Sequence, residues 1–241
     1  MTTRTTATTR RLAFMSDNST YYIEKPIEFT WYMGMSWQVR QRSSQSLREE
    51  ILNKYPGHKI IEISTASDNY ELGRQLSALN LTFDGIPVEN IFQGSKIYSG
   101  ENEPHVELFS QSAKDAKRFS KDMQALKHTV TGFKYNGKTF GTFPYSSFYD
   151  WIYINALHQH PELARNILDY DTFTDIHFNQ KTAYSDKGPS NCQARALAIY
   201  VSLVKQKTLE EYLQDPERLK YDIYRELYKT HKPEHMQLSL M

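Results

Sequence analysis

Three apolar stretches constrain the folding of this chain more than any other feature. SFYDWIYINAL at 147–157, PELARNILDY from Pro161, and CQARALAIYVSLVKQ at 192–206 are apolar over wide faces at the helical repeat. Helices of that kind bury most of their surface, so the three segments predict a helical core on which the remaining chain packs. FKYNGKTF places Asn136-Gly137 between β-type residues, a strong short-range hairpin signal, and predicts a hairpin at about 132–143. The expected class is α+β, mainly helical, with short strands and hairpins.

Residues 1–12, beginning MTTRTTATTRR, are low in complexity and are expected to form a mobile tail. Residues 13–59 read as a β-rich N-terminal elaboration. YYIEKPIEFTWYMGMSWQV is strand-like, Pro26 marks an edge or a break, and a polar helix follows at about 44–54. IIEIS at 60–64 reads as a buried strand, and YELGRQLSALNL at 70–81 as a short helix running into a loop. Near the C-terminus, Thr208 and Glu211 have the spacing of a capping box, and Pro216 opens another helical stretch. With no Gly-, Pro- or Ser-rich linker and no internal repeat, residues 60–241 are expected to form one globular unit carrying the elaboration.

Composition excludes several classes. At 39% hydrophobic and 24% charged, the chain of 241 residues is expected to fold as a globule. Its net charge of +1 gives no overall basic field, so any nucleic-acid contact must be local. Cys192 is the one cysteine, which rules out an intrachain disulfide and suits a reducing compartment. Without a membrane-length apolar run or a signal-like segment, the expected location is the cytoplasm, with no membrane partner. No HExxH, CxxC, Walker, GxGxxG or GxSxG element occurs, and His158 and His160 stand two apart, a spacing that splits across a helix. Neither a metal nor an organic cofactor is expected. Cys192, at the start of an apolar helix, reads as a packed core thiol.

Within PVENIFQGSK, a helix opened by Pro87 puts Glu89, Gln93 and Lys96 at i, i+4 and i+7 on one face. Phe92 borders that face as an aromatic wall, while Ile91 and Ile97 point into a core. Taken alone, such a stripe is usually a solvated helix face. Ser77, Arg118, Asp171, Asp175 and Asn191 are further polar residues placed oddly among core segments. GIPVENIFQGSKIY resembles the signature of the NADAR (NAD- and ADP-ribose-associated) superfamily, Glu-His-x-(Phe/Tyr)-Gln-x-x-Lys, which Glu89, Phe92, Gln93 and Lys96 match in spacing. LSALNL, DAKRF, YDTFTD and SNCQARAL are similar to further family segments in the same order, over about residues 60–205. The likeness is closest to the branch encoded beside DarT-type DNA ADP-ribosyltransferases. Asn90 stands where the motif has histidine and Gly85 where a tryptophan is usual, departures that argue against the riboflavin-intermediate branch.

The resemblance implies an antitoxin enzyme that hydrolyses the N-glycosidic link between ADP-ribose and guanine in DNA, releasing ADP-ribose and opposing a DarT-type toxin. It implies Glu89 and Lys96 as catalytic residues and Ser77, Asn80, Phe92, Gln93, Arg118, Asp171, Asp175 and Asn191 as substrate-binding residues. A carboxylate at C1 stabilises a ribosyl cation and activates water, the role expected of Glu89. Three roles are open to Lys96: holding a phosphate, protonating the departing base, or forming a Schiff base with an opened sugar. Two helical turns span about 10 Å, which favours a place near the sugar. Gln93 is expected to orient ribose hydroxyls and Arg118 to clamp the diphosphate, against readings as a plain hydrogen bond and a solvated cation. Asp171 and Asp175 are open to ribose binding, acid/base work or turn chemistry, and Asn191, with Ser190, to an N-cap. The alternatives are an N-glycosidase on small nucleotides or riboflavin-pathway intermediates, and a non-catalytic ADP-ribose-binding antitoxin.

Overall fold

Two long strands, β1 (Thr6–Met15) and β2 (Ile23–Tyr32), pair antiparallel from Thr6↔Tyr32 to Met15↔Ile23 in the computed structural model. The structure describes residues 5–64, 66–178, 184–185, 188–189 and 191–230. The stretch expected as a tail is therefore a strand from Thr6 onward. Its threonines are β-branched and suit a pleated surface, and Leu12–Met15 are buried. Residues 1–4 lie outside the described residues. Pro26 sits opposite Leu12 on β2, the edge strand, where a missing N–H breaks no ladder.

Helix α1 (Trp37–Lys54) covers this ribbon, burying Leu47 and Ile51 against Ala13, Met15, Ile27 and Phe29. It starts well before residue 44, because the Ser36 hydroxyl accepts the Val39 N–H at 3.3 Å and fixes the first turn. Strand β3 (Ile60–Glu62) is buried as expected. It pairs parallel with a strand from residues 172–174, which also pairs antiparallel with β1. The N-terminal segment is thus joined to the later chain through one sheet.

Short α2 (Tyr70–Gln75) leads into the two-residue strands β4 (Thr82–Phe83) and β5 (Ile86–Pro87), which turn at Asp84-Gly85. Helix α3 (Val88–Gly94) follows, then β6 (Lys96–Tyr98), a 3-10 turn at Val106–Ser110 and α4 (Ala113–Ala125). The expected hairpin is β7 (Val130–Tyr135) and β8 (Lys138–Phe140), which extend β6 into a three-stranded sheet. Its turn residues Asn136 and Gly137 take φ of 46° and 73°, the left-handed pair that a two-residue hairpin needs.

Helix α5 (Ser147–His158) is buried on nearly every side and packs with α7 (Gln193–Gln206) at the centre of the larger core. Between them, α6 (Pro161–Ile167) buries Ala164 and Ile167 and otherwise lies at the surface, a smaller share of the core than its sequence predicts. The strand shared by β1 and β3 is β9 (Thr172–Thr174). Asp150 of α5 and Arg195 of α7 form a fully buried ion pair with oxygen and nitrogen 3.3 Å apart. The Tyr224 hydroxyl donates to the same carboxylate.

The C-terminal part comprises α8 (Leu209–Gln214), α9 (Pro216–Ile223) and α10 (Arg225–Thr230). Thr208 does not form the expected capping box. Lys207, at φ 60°, ends α7 in the left-handed region and leaves Thr208 at ψ 0°, whereas a capping side chain needs extended backbone. The Thr208 hydroxyl is buried without a partner among the described residues. No helix among the described residues is long and apolar enough to cross a membrane.

Candidate active site

All seven residues of α3 are buried, so the Glu89 face is not a solvated stripe. Pro87 starts the helix, and the Glu89 N–H donates to the Ala78 carbonyl at 2.9 Å, tying α3 to the loop after α2. The Glu89 carboxylate accepts the Gln93 side-chain N–H at 2.7 Å and lies 3.3 Å from the Lys117 ammonium. The Gln93 carbonyl in turn accepts from the Ser120 hydroxyl and from the Lys96 ammonium. Lys96 also donates to Ser120 at 3.2 Å, and its nitrogen lies 4.8 Å from the centre of the Phe92 ring. Gln93 is therefore locked in one orientation between a carboxylate and an amine.

Lys96 departs from its expected place on the helix. Lys96 does not extend the Glu89 helix face, because α3 ends at Gly94 and Lys96 is the first residue of β6, paired with Phe133. A Cβ on Gly94 would lie 2.6 Å from the Phe109 ring, so the chain stops where it meets the 3-10 segment. From the strand, the Lys96 side chain still turns back to Gln93. Burial pushes the Lys96 amine down to about 8, against the opposing pull of Glu89.

Glu89, Phe92 and Gln93 line a cavity of about 550 Å³, within the range of roughly 300–1,000 Å³ typical of small-molecule sites. Ser77, Asp175 and Asn191 line it too, so six of the ten expected residues meet there. Lys96 stands behind Gln93, outside the lining. Asn80 is also outside it, its amide donating to the Arg74 carbonyl at 2.7 Å to close the turn after α2. Arg118 points to solvent and pairs with Asp115 at 2.7 Å; its neighbour Lys117 faces the cavity instead. Asp171 accepts the Lys59 N–H at 3.1 Å and lies near Lys205, a position that serves the turn before β9. Asn191 does not cap α7, whose N-cap is Cys192, and its side-chain oxygen is buried without a partner among the described residues. Ser190 lies outside the described residues.

Several lining residues were not expected. Gln193 donates to the Ile63 carbonyl at 2.7 Å and to Asp175 at 3.0 Å, while its oxygen accepts the Ala78 N–H at 3.0 Å. It thereby joins β3, the loop after α2 and the end of β9. A glutamine in the first turn of a mostly apolar helix was the signal for it. Tyr149 of α5 adds a wall next to Phe92, with ring centres 5.4 Å apart. Arg40 reaches in from α1 and His177 from the turn after β9. Arg40 lies ahead of the segment that carries the resemblance, and nothing in the sequence singled it out.

Beneath the cavity wall, Glu62 is buried and accepts from Ser64, Thr174 and the Ile176 N–H. Burial, together with the charge of Asp175, pushes its carboxyl up to about 8. Asp175 is itself raised by burial, against the favourable charge and N–H of His177. Burial pushes the Cys192 thiol far up, as befits a packed core residue. Asn90, in place of the motif's histidine, donates to the Leu108 and Gln111 carbonyls at 2.9 and 2.6 Å and pins the 3-10 segment to α3. A smaller cavity of about 350 Å³ between α1 and β3 contains none of the expected residues. Among the described residues, no group of three or more His, Cys, Asp or Glu is placed to hold a metal ion.

A family model described as DarT1-associated NADAR antitoxin matches residues 9–234. No curated protein matches the chain.

Proposed function

The chain belongs to the DarT1-associated NADAR antitoxin family, and from that membership and the geometry of the cavity we propose that it hydrolyses the N-glycosidic bond joining ADP-ribose to guanine in DNA. The observation that carries this reading is the buried Glu89–Gln93–Lys96 chain, in which Glu89 and Gln93 line the cavity and the Lys96 amine stands directly behind the Gln93 carboxamide. For affinity alone, a carboxylate there can accept ribose hydroxyls but also repels the diphosphate. A reaction that develops positive charge at C1 gains directly from it.

Lys96 is the proposed nucleophile. With its pKa lowered to about 8, an appreciable fraction of the amine is neutral near physiological pH. Substrate displaces the Gln93 carboxamide, and the amine adds to C1 as the C1–N bond breaks. The bonding electrons leave with the guanine nitrogen, and the proton lost by the amine reaches it through Glu89. The sugar ring opens to an imine, water activated by Glu89 hydrolyses it, and ADP-ribose and the free amine are restored. Phe92 and Tyr149 give the cavity an aromatic wall, and Ser77, Asp175 and Asn191 present polar atoms to the bound sugar or base.

The test compares two substrates: an oligonucleotide bearing ADP-ribose on guanine, and free nucleotides with N-glycosidic bonds. The expected result is release of ADP-ribose from the oligonucleotide at the higher kcat/KM. Faster cleavage of the free nucleotides contradicts the DNA assignment, and tight binding of ADP-ribose without release contradicts catalysis.

A further inference from the structure

The cations around this cavity differ in what holds them. Lys117 is paired with Glu89, Lys96 with Gln93 and Ser120, and Arg118 with Asp115 out in solvent. Arg40 lines the cavity from α1, and its Nε is buried with no hydrogen-bond partner among the described residues. A guanidinium stays charged at any ordinary pH and carries five donors in a planar fork that matches carboxylate and phosphate oxygens. An unmet N–H on such a group, out of water, is unfavourable until an anion arrives. A second observation points the same way: the side-chain oxygen of Asn191, which lines the same cavity, is also buried without a partner among the described residues. An unmet donor and an unmet acceptor on two residues that line one space suit a ligand carrying both an anion and hydroxyl or amino groups. The charge of Arg40 is also felt at His177, which burial holds toward its neutral form.

We infer that Arg40 is the phosphate anchor of this cavity, binding either the diphosphate of ADP-ribose or a backbone phosphate of the strand that carries it. The inference deepens the proposed function and takes its ligand class from it. It moves the anchoring role from the helix that carries Lys117 and Arg118 to α1, in the N-terminal part of the chain.

The experiment is titration calorimetry of wild type, Arg40→Ala and Arg40→Lys with ADP-ribose, with adenosine, and with an unmodified single-stranded oligonucleotide. Arg40→Ala is expected to weaken ADP-ribose at least about tenfold while leaving adenosine unchanged, the scale for losing a charge-assisted pair. Arg40→Lys, which keeps the charge but not the fork, is expected to fall between. A loss seen with the oligonucleotide instead supports the anchor and assigns it to the strand. Unchanged affinity for both phosphate ligands, equal weakening of adenosine, or a wild type that binds none of the three overturns the inference. Should Arg40→Ala not fold, Arg40→Gln carries the same comparison. Because binding is read without turnover, a wild type that binds ADP-ribose yet releases none from modified DNA refutes the glycohydrolase reading and leaves this inference standing.

Discussion

The Lys96 amine gives the site one pH signature of its own. Lys96 ionises near 10.5 in an unfolded chain and near 8 when folded, so between those values the unfolded chain binds more protons. Stability therefore rises with pH across that window, by about 3 kcal/mol in all, and below pH 8 the fold bears the whole cost of the buried charge. Lys96→Met is expected to raise the urea midpoint at pH 7, to remove the rise that wild type shows between about pH 8 and pH 9.5, and to abolish ADP-ribose release. Parallel stability curves for the two proteins refute the assigned cost. Borohydride added during turnover is expected to leave ADP-ribose on the Lys96 peptide, and an adduct on any other peptide refutes the imine. Glu89, Phe92, Gln93 and Lys96 could be singled out in the sequence because they match a family signature in spacing, while as a bare stripe they read as a solvated helix face. Arg118 misled because adjacent residues on a helix face different ways: a register difference of one exposes Arg118 and turns Lys117 inward.

The elements were legible where local chemistry decides them. Asn136-Gly137 forms its hairpin because no other residue pair takes that turn so readily, and α5 and α7 are buried because they are apolar on nearly every side. Where a neighbour decides, the sequence alone misplaced the boundary. α3 ends at Gly94 under the Phe109 ring, and Thr208 misses its capping role because Lys207 has already turned the chain. This ending of α3 can be tested. In Gly94→Ala the new Cβ would stand 2.6 Å from the Phe109 ring and 3.0 Å from the His105 carbonyl, so α3 and the 3-10 segment must separate. Overpacking of that kind costs about 1–3 kcal/mol. Because α3 carries both Glu89 and Gln93, the variant is expected to lower the denaturation midpoint and to weaken ADP-ribose binding together. Lower stability with unchanged binding contradicts the claim that this contact positions the cavity floor.

Across the whole molecule, what stayed illegible was long-range pairing. Ala13 pairs with Thr174, and no local signal joins positions so far apart, so residues 13–59 read as an appendage. Instead β1 lies between β2 and β9, and the helix that follows the ribbon supplies a cavity wall through Arg40. The other half of the molecule is held around the buried Asp150–Arg195 pair, which joins α5 and α7 and, through Tyr224, the C-terminal helices. Burial raises the Asp150 carboxyl, and the Arg195 charge opposes that rise. Arg195→Met strands the carboxylate and is expected to cost about 3–5 kcal/mol, with Asp150→Asn in the same chain recovering part of the loss. A urea midpoint for Arg195→Met equal to that of wild type refutes the role of this pair.

The decisive measurement for the proposed hydrolysis is timed release of ADP-ribose from a guanine-modified oligonucleotide, run in parallel with wild type and Glu89→Gln. Wild type is expected to release free ADP-ribose and restore unmodified guanine. Glu89→Gln is expected to bind ADP-ribose but release it at least about a hundredfold more slowly, the scale of one acid/base group. A wild type that leaves the modification intact, or a Glu89→Gln variant that works at full rate, contradicts it.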